Sequence, residues 1–471
     1  MNNFPRLIVA GMRGGSGKTA VSMGIIGALR SVKDLKIVPF KKGPDYIDAG
    51  WMSVAAGNPC YNLDPFFLTE DAIIRSFMTH STGDISVIEG NRGLYDGMDA
   101  EGSYSTAELS KLLKCPVILI VDCSKTTKTA AALVLGCMNL DKDVPIKGVV
   151  LNRISGGRHE SVVREAVEKY CSIPVLGAIP HLRGRELPER HMGLTPHQEY
   201  RNKKEVLSEA EEVAQKYLDL DRILEIARCS APLFETPESP HVPVTVRDSK
   251  ACSVVRIGII KDTAFQFYYE DNIEELQRLG AEIVTVNALH DPGLPDIDAL
   301  YIGGGFPETN ALNLAGNPLF RDAVRKMALD GLPIYAECGG LMFLGDAIII
   351  ESKRYPMAGI FPITFQMTNK PQAHGYTIVE VDHPNPFYPV GTELRGHEFH
   401  YSEVTDMTLG EGMYTAFKMK RGQGIRSGKD GLCFNNVLAA YTHVHALGSP
   451  EWAAGLINSA LEFSRRKGTM I

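Results

Sequence analysis

The chain has 471 residues, 44% of them hydrophobic and 22% charged, with a formal net charge of −7. That length exceeds one ordinary hydrophobic core and predicts at least two domains, and the acidic balance argues against a general affinity for nucleic acid or an anionic membrane. No apolar run approaches the length of a bilayer span, and the N-terminus MNNFPRLIVA lacks the basic and apolar regions of a secretion signal, so the expectation is a cytoplasmic protein. Nine cysteines form no C-x-x-C pair, which disfavours a structural zinc site or a disulfide framework.

Leu7 to Ile26 reads LIVAGMRGGSGKTAVSMGII: an apolar strand, a glycine-rich loop and a helix. Backbone N–H groups from Gly14 through Gly15, Ser16, Gly17 and Lys18 to Thr19 can converge on phosphate oxygens. Lys18 then adds a charge at the β- and γ-phosphates, and the Thr19 hydroxyl is placed to ligate Mg²⁺, so ATP and Mg²⁺ are the expected ligands. Met12 stands where the usual G-x-x-x-x-G-K-[ST] spacing has its first glycine. The loop RGGSGKT instead resembles the deviant Walker A loop of the MinD/ParA and dethiobiotin synthetase group. Arg13 occupies the place of the signature lysine of partitioning ATPases. It reads either as a second cation on the phosphates, in cis or from a partner subunit, or as a solvated loop arginine.

Further strands are expected at Ile37–Phe40, Ile85–Ile88, Pro116–Val121, Ile146–Leu151 and Pro174–Ala178, with helices between them. This alternation predicts a parallel sheet whose ligands sit at the carboxyl ends of its strands. Lys41, Asp45 and Asp48 follow the second strand, and Glu89 and Asp96 follow the third. A lysine beside phosphate and carboxylates beside Mg²⁺ suit phosphoryl transfer, with Glu89 at a Walker-B-like position and Thr19, Asp45 and Glu89 as the metal set. Asn152 and Arg153 are expected beside the adenine. Arg201 to Arg228 reads as one helix closing this domain, and the proline-rich segment Ser230 to Lys250 as a linker. The predicted division is 1–229, a linker at 230–252, and 253–471.

A second alternation starts at Val254–Ile260 and continues through Ile283–Val286, Ala299–Ile302 and Pro333–Ala336. Its last strand runs into Ala336-Glu337-Cys338-Gly339-Gly340, the small-x-nucleophile-x-small pattern of a nucleophile elbow. The helix expected after the turn would lower the Cys338 pKa. Gly339 N–H is one expected oxyanion donor, and the loop at Gly304 and Gly305 supplies the other. The thiol needs a base, and position alone leaves His397, His400, His443 and His445 open.

Over essentially its whole length the chain resembles the cobyrinic acid a,c-diamide synthase family. The matching segments include GSGKT, FKKGPDYIDAG, NLDPFF, GLYDG, STAELSKLL, ERHMGL, DTAFQFYYEDN, GGGFPE, AECGGLMFL, GHEFHYSE and AYTHVH. The resemblance implies an α/β protein in two halves: a P-loop, dethiobiotin-synthetase-like parallel-sheet amidoligase domain, then a class-I-like glutamine amidotransferase domain of the triad type. It implies ATP-driven amidation of the a and c acetate groups of a tetrapyrrole, with ammonia released from L-glutamine by Cys338 and carried along an enclosed path. By the family's Y-x-H pattern His443 is the base. His445 stands where many class I glutaminases place the glutamate that orients it. Lys18, Thr19, Lys41, Asp45 and Glu89 are implied in the acyl-phosphate step, with Asp48 and Asp96 on the substrate side. Expected partners are small molecules, without nucleic acid or membrane, and the deviant loop points to a homodimer.

Several positions depart from the family pattern. Arg13 and Gly14 stand in the loop, Asn91 and Arg92 replace Val-Met in EGNRGLYDG, and Lys125 and Lys128 make the segment DCSKTTKTAAA more basic. Clustered near the acceptor face, these changes read either as the mark of a different tetrapyrrole, sirohaem or nickel-sirohydrochlorin, or as drift and local salt bridging within a cobyrinate enzyme. Two rivals explain less. A partitioning ATPase accounts for Arg13 and leaves Cys338 without a purpose. A non-catalytic tetrapyrrole-binding chaperone leaves Lys18, Cys338 and His443 idle.

Overall fold

Seven short runs lie side by side as parallel strands in the first of two units: β1 (Arg6–Gly11), β2 (Ile37–Lys42), β3 (Tyr61–Leu63), β4 (Ile85–Gly93), β5 (Val117–Asp122), β6 (Ile146–Ile154) and β7 (Val175–Pro180). The computed structural model describes residues 4–182, 189–190, 193–200, 202–233 and 254–469, and the chain divides into units Met1–Ser239 and Pro240–Ile471. The strand order is β3-β2-β4-β1-β5-β6-β7. Leu7, Ile8, Val9 and Ala10 have no exposed surface. Helices covering both faces of a parallel sheet demand such continuous apolar runs, and each large aliphatic side chain buried there contributes about 1.5–3 kcal/mol.

Between β4 and β5 the chain order reverses around β1, which leaves an open crevice at the carboxyl edge. Helix α1 (Lys18–Lys33) starts in that crevice after Gly17, whose φ of 92° only glycine adopts readily, and no side chain caps it. β2 and β4 run further than their apolar cores predict. β2 continues through Lys41 and Lys42, both buried, and β4 through Asn91 and Arg92. Helix α2 (Ile47–Ala56) and strand β3 were not expected within Pro39–Phe67. α2 forms because Ala49, Trp51, Met52, Ala55 and Ala56 make one buried stripe.

The helix expected over Arg201–Arg228 is two: α3 (Lys203–Tyr217) and α4 (Leu220–Arg228). The break lies where the chain pairs with the edge of the sheet. Leu218 bridges Gly177, and Asp219 N–H donates to Leu176 O at 2.7 Å. Arg201 lies outside the described residues, as does the expected linker beyond Leu233. The first linker residues belong to the first unit instead: Ser230 donates to Arg6 O, and the buried Arg6 guanidinium reaches Ala231 O.

The second unit is built on β8 (Arg256–Ile260), β9 (Glu282–Val286), β10 (Ala299–Ile302) and β11 (Ile334–Glu337), all parallel. The sheet continues through β12 (Ala373–Val381), β13 (Glu393–His400), β14 (Tyr414–Arg421), β15 (Lys429–Phe434), β16 (Val437–Ala440) and β17 (His443–Val444). Its order is β9-β8-β10-β11-β16-β15-β14-β12-β13-β17, with β16 parallel to β11 and the remaining pairs antiparallel. A four-stranded sheet and the helix Pro450–Thr469 complete the unit. Among the described residues no helix is long and apolar enough to cross a membrane.

Candidate active sites

At the carboxyl edge of the first sheet lies a cavity of about 760 Å³, lined by Gly14, Gly15, Gly17, Lys18 and Thr19 and by Lys41, Asp48, Glu89, Asn91, Arg92, Asn152 and Arg153. A side chain placed on Gly14 or Gly15 would meet nothing within 4 Å, so the loop backbone is open to a ligand. Lys18 Nζ donates to Arg92 O at 2.8 Å and Arg13 O at 3.3 Å. Burial, then the charge of Lys41, pulls its pKa down. An ammonium parked on two carbonyls in a depressed state gains from a polyanion.

Below the loop, charges are paired tightly. Lys41 Nζ donates to Asp48 Oδ2 at 2.8 Å and Glu89 Oε1 at 3.0 Å, and Thr19 Oγ1 donates to the same Glu89 oxygen at 2.8 Å. Burial alone would depress Lys41, but the Asp48 and Glu89 carboxylates outweigh it and hold the ammonium charged. Burial pushes Asp45 and Glu89 up; Asp48, salt-bridged to Lys41 despite its own burial, goes down. Glu89 Oε2 is buried and lacks a protein hydrogen-bond partner. An orphan carboxylate oxygen beside the Thr19 hydroxyl fits a hard divalent cation, which uses one or two carboxylates and otherwise keeps water and phosphate oxygens. Among the described residues no three acidic, histidine or cysteine side chains form a ready cage. Asp45 accepts from Asp48 N–H at 2.9 Å.

The other expected residues have local partners. Asn152 donates to Ser16 O at 3.0 Å, and a side chain on Gly17 would fall 2.5 Å from its Nδ2. Asn152 thus braces the loop from behind. Asp96 caps its own turn, accepting from Gly93 N–H at 2.8 Å. Arg13 is exposed and pairs in cis with Asp122 at 2.9 Å, and Arg153 shares that carboxylate at 2.8 Å. Asp122 was not expected, although an acid ending an apolar strand at the sheet's carboxyl edge is the signal that would find it.

In the second unit β11 ends in a strained turn. Cys338 has φ 48° and ψ −98°, the geometry the elbow pattern predicts, at a cost of about 1–3 kcal/mol. A side chain on Gly339 would come within 3.1 Å of Gly305 N, and one on Gly304 would strike His443, 2.5 Å from Cε1 and 3.1 Å from Nε2. The fold therefore brings Cys338, Gly339, Gly304, Gly305 and His443 to one point, and their spacing leaves no room for side chains on the glycines. Of the four candidate bases, His400 donates its Nδ1–H to Ser402 O at 2.8 Å and stacks on Tyr441 at 3.6 Å. His397 stacks on His443 at 4.7 Å, and burial, then His443, drives its pKa well below the usual range. His445 Nε2 lies 3.3 Å from Asp271 Oδ2. His443 Nδ1 lies 3.4 Å from Glu337 Oε2, a residue the sequence reading passed over as the filler of the elbow.

One expectation is reversed. The helix after the elbow, Gly339–Leu344, has only six residues, and the Cys338 thiol is pushed up: burial comes first, then the negative charge of Glu308, against a smaller lowering by Gly339 N–H. The thiol is protonated at rest and needs a base.

Comparison with known proteins follows the same division. Residues 7–194 match the family model of the CobQ/CobB/MinD/ParA nucleotide binding domain, and residues 256–451 that of the CobB/CobQ-like glutamine amidotransferase domain. The cobyrinate a,c-diamide synthase of Magnetococcus marinus is 41% identical over 467 residues, 99% of this chain and 98% of its own. The chain belongs to the cobyrinate a,c-diamide synthase family. The synthases of that name from Dehalococcoides mccartyi (41% over 465 residues, 98% of this chain and 99% of its own) and Archaeoglobus fulgidus (39% over 462, 98% of each) agree. Family membership makes the first unit a nucleotide-binding domain and the second a glutamine amidotransferase domain. Two of the departures from the family pattern have local partners: Arg13 has Asp122, and the Lys128 ammonium sits over the Tyr170 ring at 4.5 Å. Nothing in the structure explains Lys125.

Proposed function

We propose that this protein amidates the a and c acetate carboxylates of cobyrinate, using ATP and glutamine. The observation that carries the reading is that one chain holds both a phosphate site with an orphan carboxylate oxygen and a strained cysteine with a histidine and paired glycines. In the first site the loop from Gly14 to Thr19 takes the triphosphate, with Lys18 on its outer phosphates and Asn152 bracing the loop. Thr19, Glu89 and Asp45 would hold Mg²⁺, which neutralises phosphate charge when bound. A substrate carboxylate oxygen attacks the γ-phosphorus, the bond to ADP breaks, and an acyl phosphate forms. Lys41 counters the charge gathered there, and Asp48 keeps Lys41 in place. Ammonia then attacks the acyl carbon, a C–N bond forms and phosphate leaves. A carboxylate needs this activation because oxide is a poor leaving group.

In the second site His443 takes the Cys338 proton, and the sulfur attacks the amide carbon of glutamine. Backbone N–H groups at Gly339 and at the Gly304–Gly305 loop stabilise the oxyanion. His443 returns its proton to the leaving ammonia, and water cleaves the thioester to glutamate. Arg92 and Asn91 border the first cavity and would face the tetrapyrrole. A cytoplasmic homodimer that engages only small molecules completes the reading.

The test is mass spectrometry of products after incubation with ATP, Mg²⁺, glutamine and either cobyrinic acid or sirohaem. Two-fold amidation of cobyrinic acid supports the proposal; amidation of sirohaem alone would replace it.

A further inference from the structure

The place that class I glutaminases give to an orienting glutamate holds His445 here, and that ring is occupied elsewhere. Its Nε2 lies 3.3 Å from Asp271 Oδ2, its Nδ1 accepts from Leu447 N–H at 3.3 Å, and Tyr269 packs on it at 4.8 Å. A histidine base still needs its Nδ1–H held so that Nε2 faces the nucleophile.

We propose that Glu337 is the positioning residue of the glutaminase site, holding His443 through Nδ1 from the strand end directly before Cys338. The inference rests on the glutaminase reading above. Strand register provides the approach: Glu337 of β11 pairs with Ala440 of β16, three residues before His443. The carboxylate is 1% exposed and fixed on both oxygens. Oε1 accepts from Val444 N–H at 3.1 Å, and Oε2 accepts from Tyr301 OH at 3.0 Å and lies 3.4 Å from His443 Nδ1. The opposite edge of the imidazole faces the glycine loop, since a side chain on Gly304 would fall 3.1 Å from Nε2. His397, stacked at 4.7 Å and 15°, fixes the ring plane.

The chemistry favours the same assignment. A buried carboxylate one residue from the nucleophile opposes thiolate formation, so as an isolated charge it hinders the reaction. Paired with His443 it stabilises the imidazolium that appears once the proton has moved, and it selects the tautomer that can accept it. The glutamate of the usual triad is thereby replaced by one that reaches the same nitrogen from the end of β11.

The test uses the full chain and two readouts: glutamate release from glutamine, and amidation of cobyrinic acid with ammonium chloride as donor. E337Q keeps the shape and removes the charge. It should lower the glutamine kcat about 10⁴-fold at unchanged glutamine KM, as loss of a triad carboxylate does elsewhere, while the ammonia reaction stays within about threefold. E337D should recover about a tenth of the wild-type kcat. Wild-type glutamine kcat in E337Q would overturn the proposal. Should E337Q lose the ammonia reaction too, Y301F decides, because it leaves the carboxylate and frees it on one side. A fall of about tenfold in glutamine kcat at unchanged KM supports the positioning role, and an unchanged kcat overturns it. Absence of glutamate release in the wild type would instead defeat the glutaminase reading itself.

Discussion

The two sites handle charge in opposite ways. The phosphate site is crowded with it: Lys18, Lys41, Asp48 and Glu89 line one cavity, with Asp45 hydrogen-bonded to Asp48 beside them. Lys41 is held charged between two carboxylates, so a full complement of counter-charges is in place before ligand arrives. The thiol site keeps its nucleophile and the ring beside its base uncharged, with the buried Glu337 carboxylate set against His443. Cys338 is pushed toward its protonated form and His397 toward its neutral one. A polyanion has to be matched by fixed cations and a metal, whereas a neutral amide needs one proton moved twice, which a buried pocket with a single histidine oriented by one carboxylate does well.

Separating the two sites gives the largest expected effect. Cys338→Ala should lower glutamine-dependent amidation by about 10⁴-fold, while saturating ammonium restores the rate to within about threefold of wild type. Steady-state assays with the two donors check this. Loss of both reactions would mean that the thiol site is not confined to ammonia supply.

Lys41→Met attacks the other site. It leaves Glu89 and Asp48 without their buried counter-charge. Amidation should fall about 10²–10³-fold with either donor, and the first unit should lose about 3 kcal/mol, read in a denaturant melt. Glutamate release in the absence of ATP should persist.

How much of this was legible in the sequence differs between the sites. The loop from Gly14 to Thr19 and Cys338 lie at strand ends because short apolar runs and glycines report the local chain direction, whereas Glu89, expected just past its strand, lies inside β4. Lys41 was found, but its strand was read two residues short, since lysines inside a buried strand are tolerated only when carboxylates from α2 and β4 meet them. The partners of Asn152, Asp96 and Arg13 were hidden for a related reason. Each binds a backbone or side-chain partner that only the folded loops bring near: Ser16 O, Gly93 N–H and Asp122. Glu337 was invisible because its partner His443 is 106 positions away and joins it only through the pairing of β11 with β16. The antiparallel half of the second sheet was likewise unread. Its strands alternate weakly, as in β12 and β14, and carry charged residues on the solvent side.

The smallest expected effect sharpens the contrast in protonation. Burial and Glu308 raise the Cys338 thiol, so the thiolate fraction without substrate is small near neutrality and grows with pH. Iodoacetamide labelling of the Cys338 peptide, followed by mass spectrometry, should rise about tenfold per pH unit from pH 7 to 9 without levelling. A plateau near neutrality would show a depressed thiol and undo the argument that Cys338 is protonated at rest.

The most direct measurement of the account as a whole is nitrogen tracing. Cobyrinic acid, ATP and Mg²⁺ are incubated with glutamine labelled with ¹⁵N at the amide, and the product is read by mass spectrometry. The account predicts a diamide with ¹⁵N in both new amides for the wild type and none for Cys338→Ala. A wild-type product without the label, or labelled product from Cys338→Ala, would contradict it.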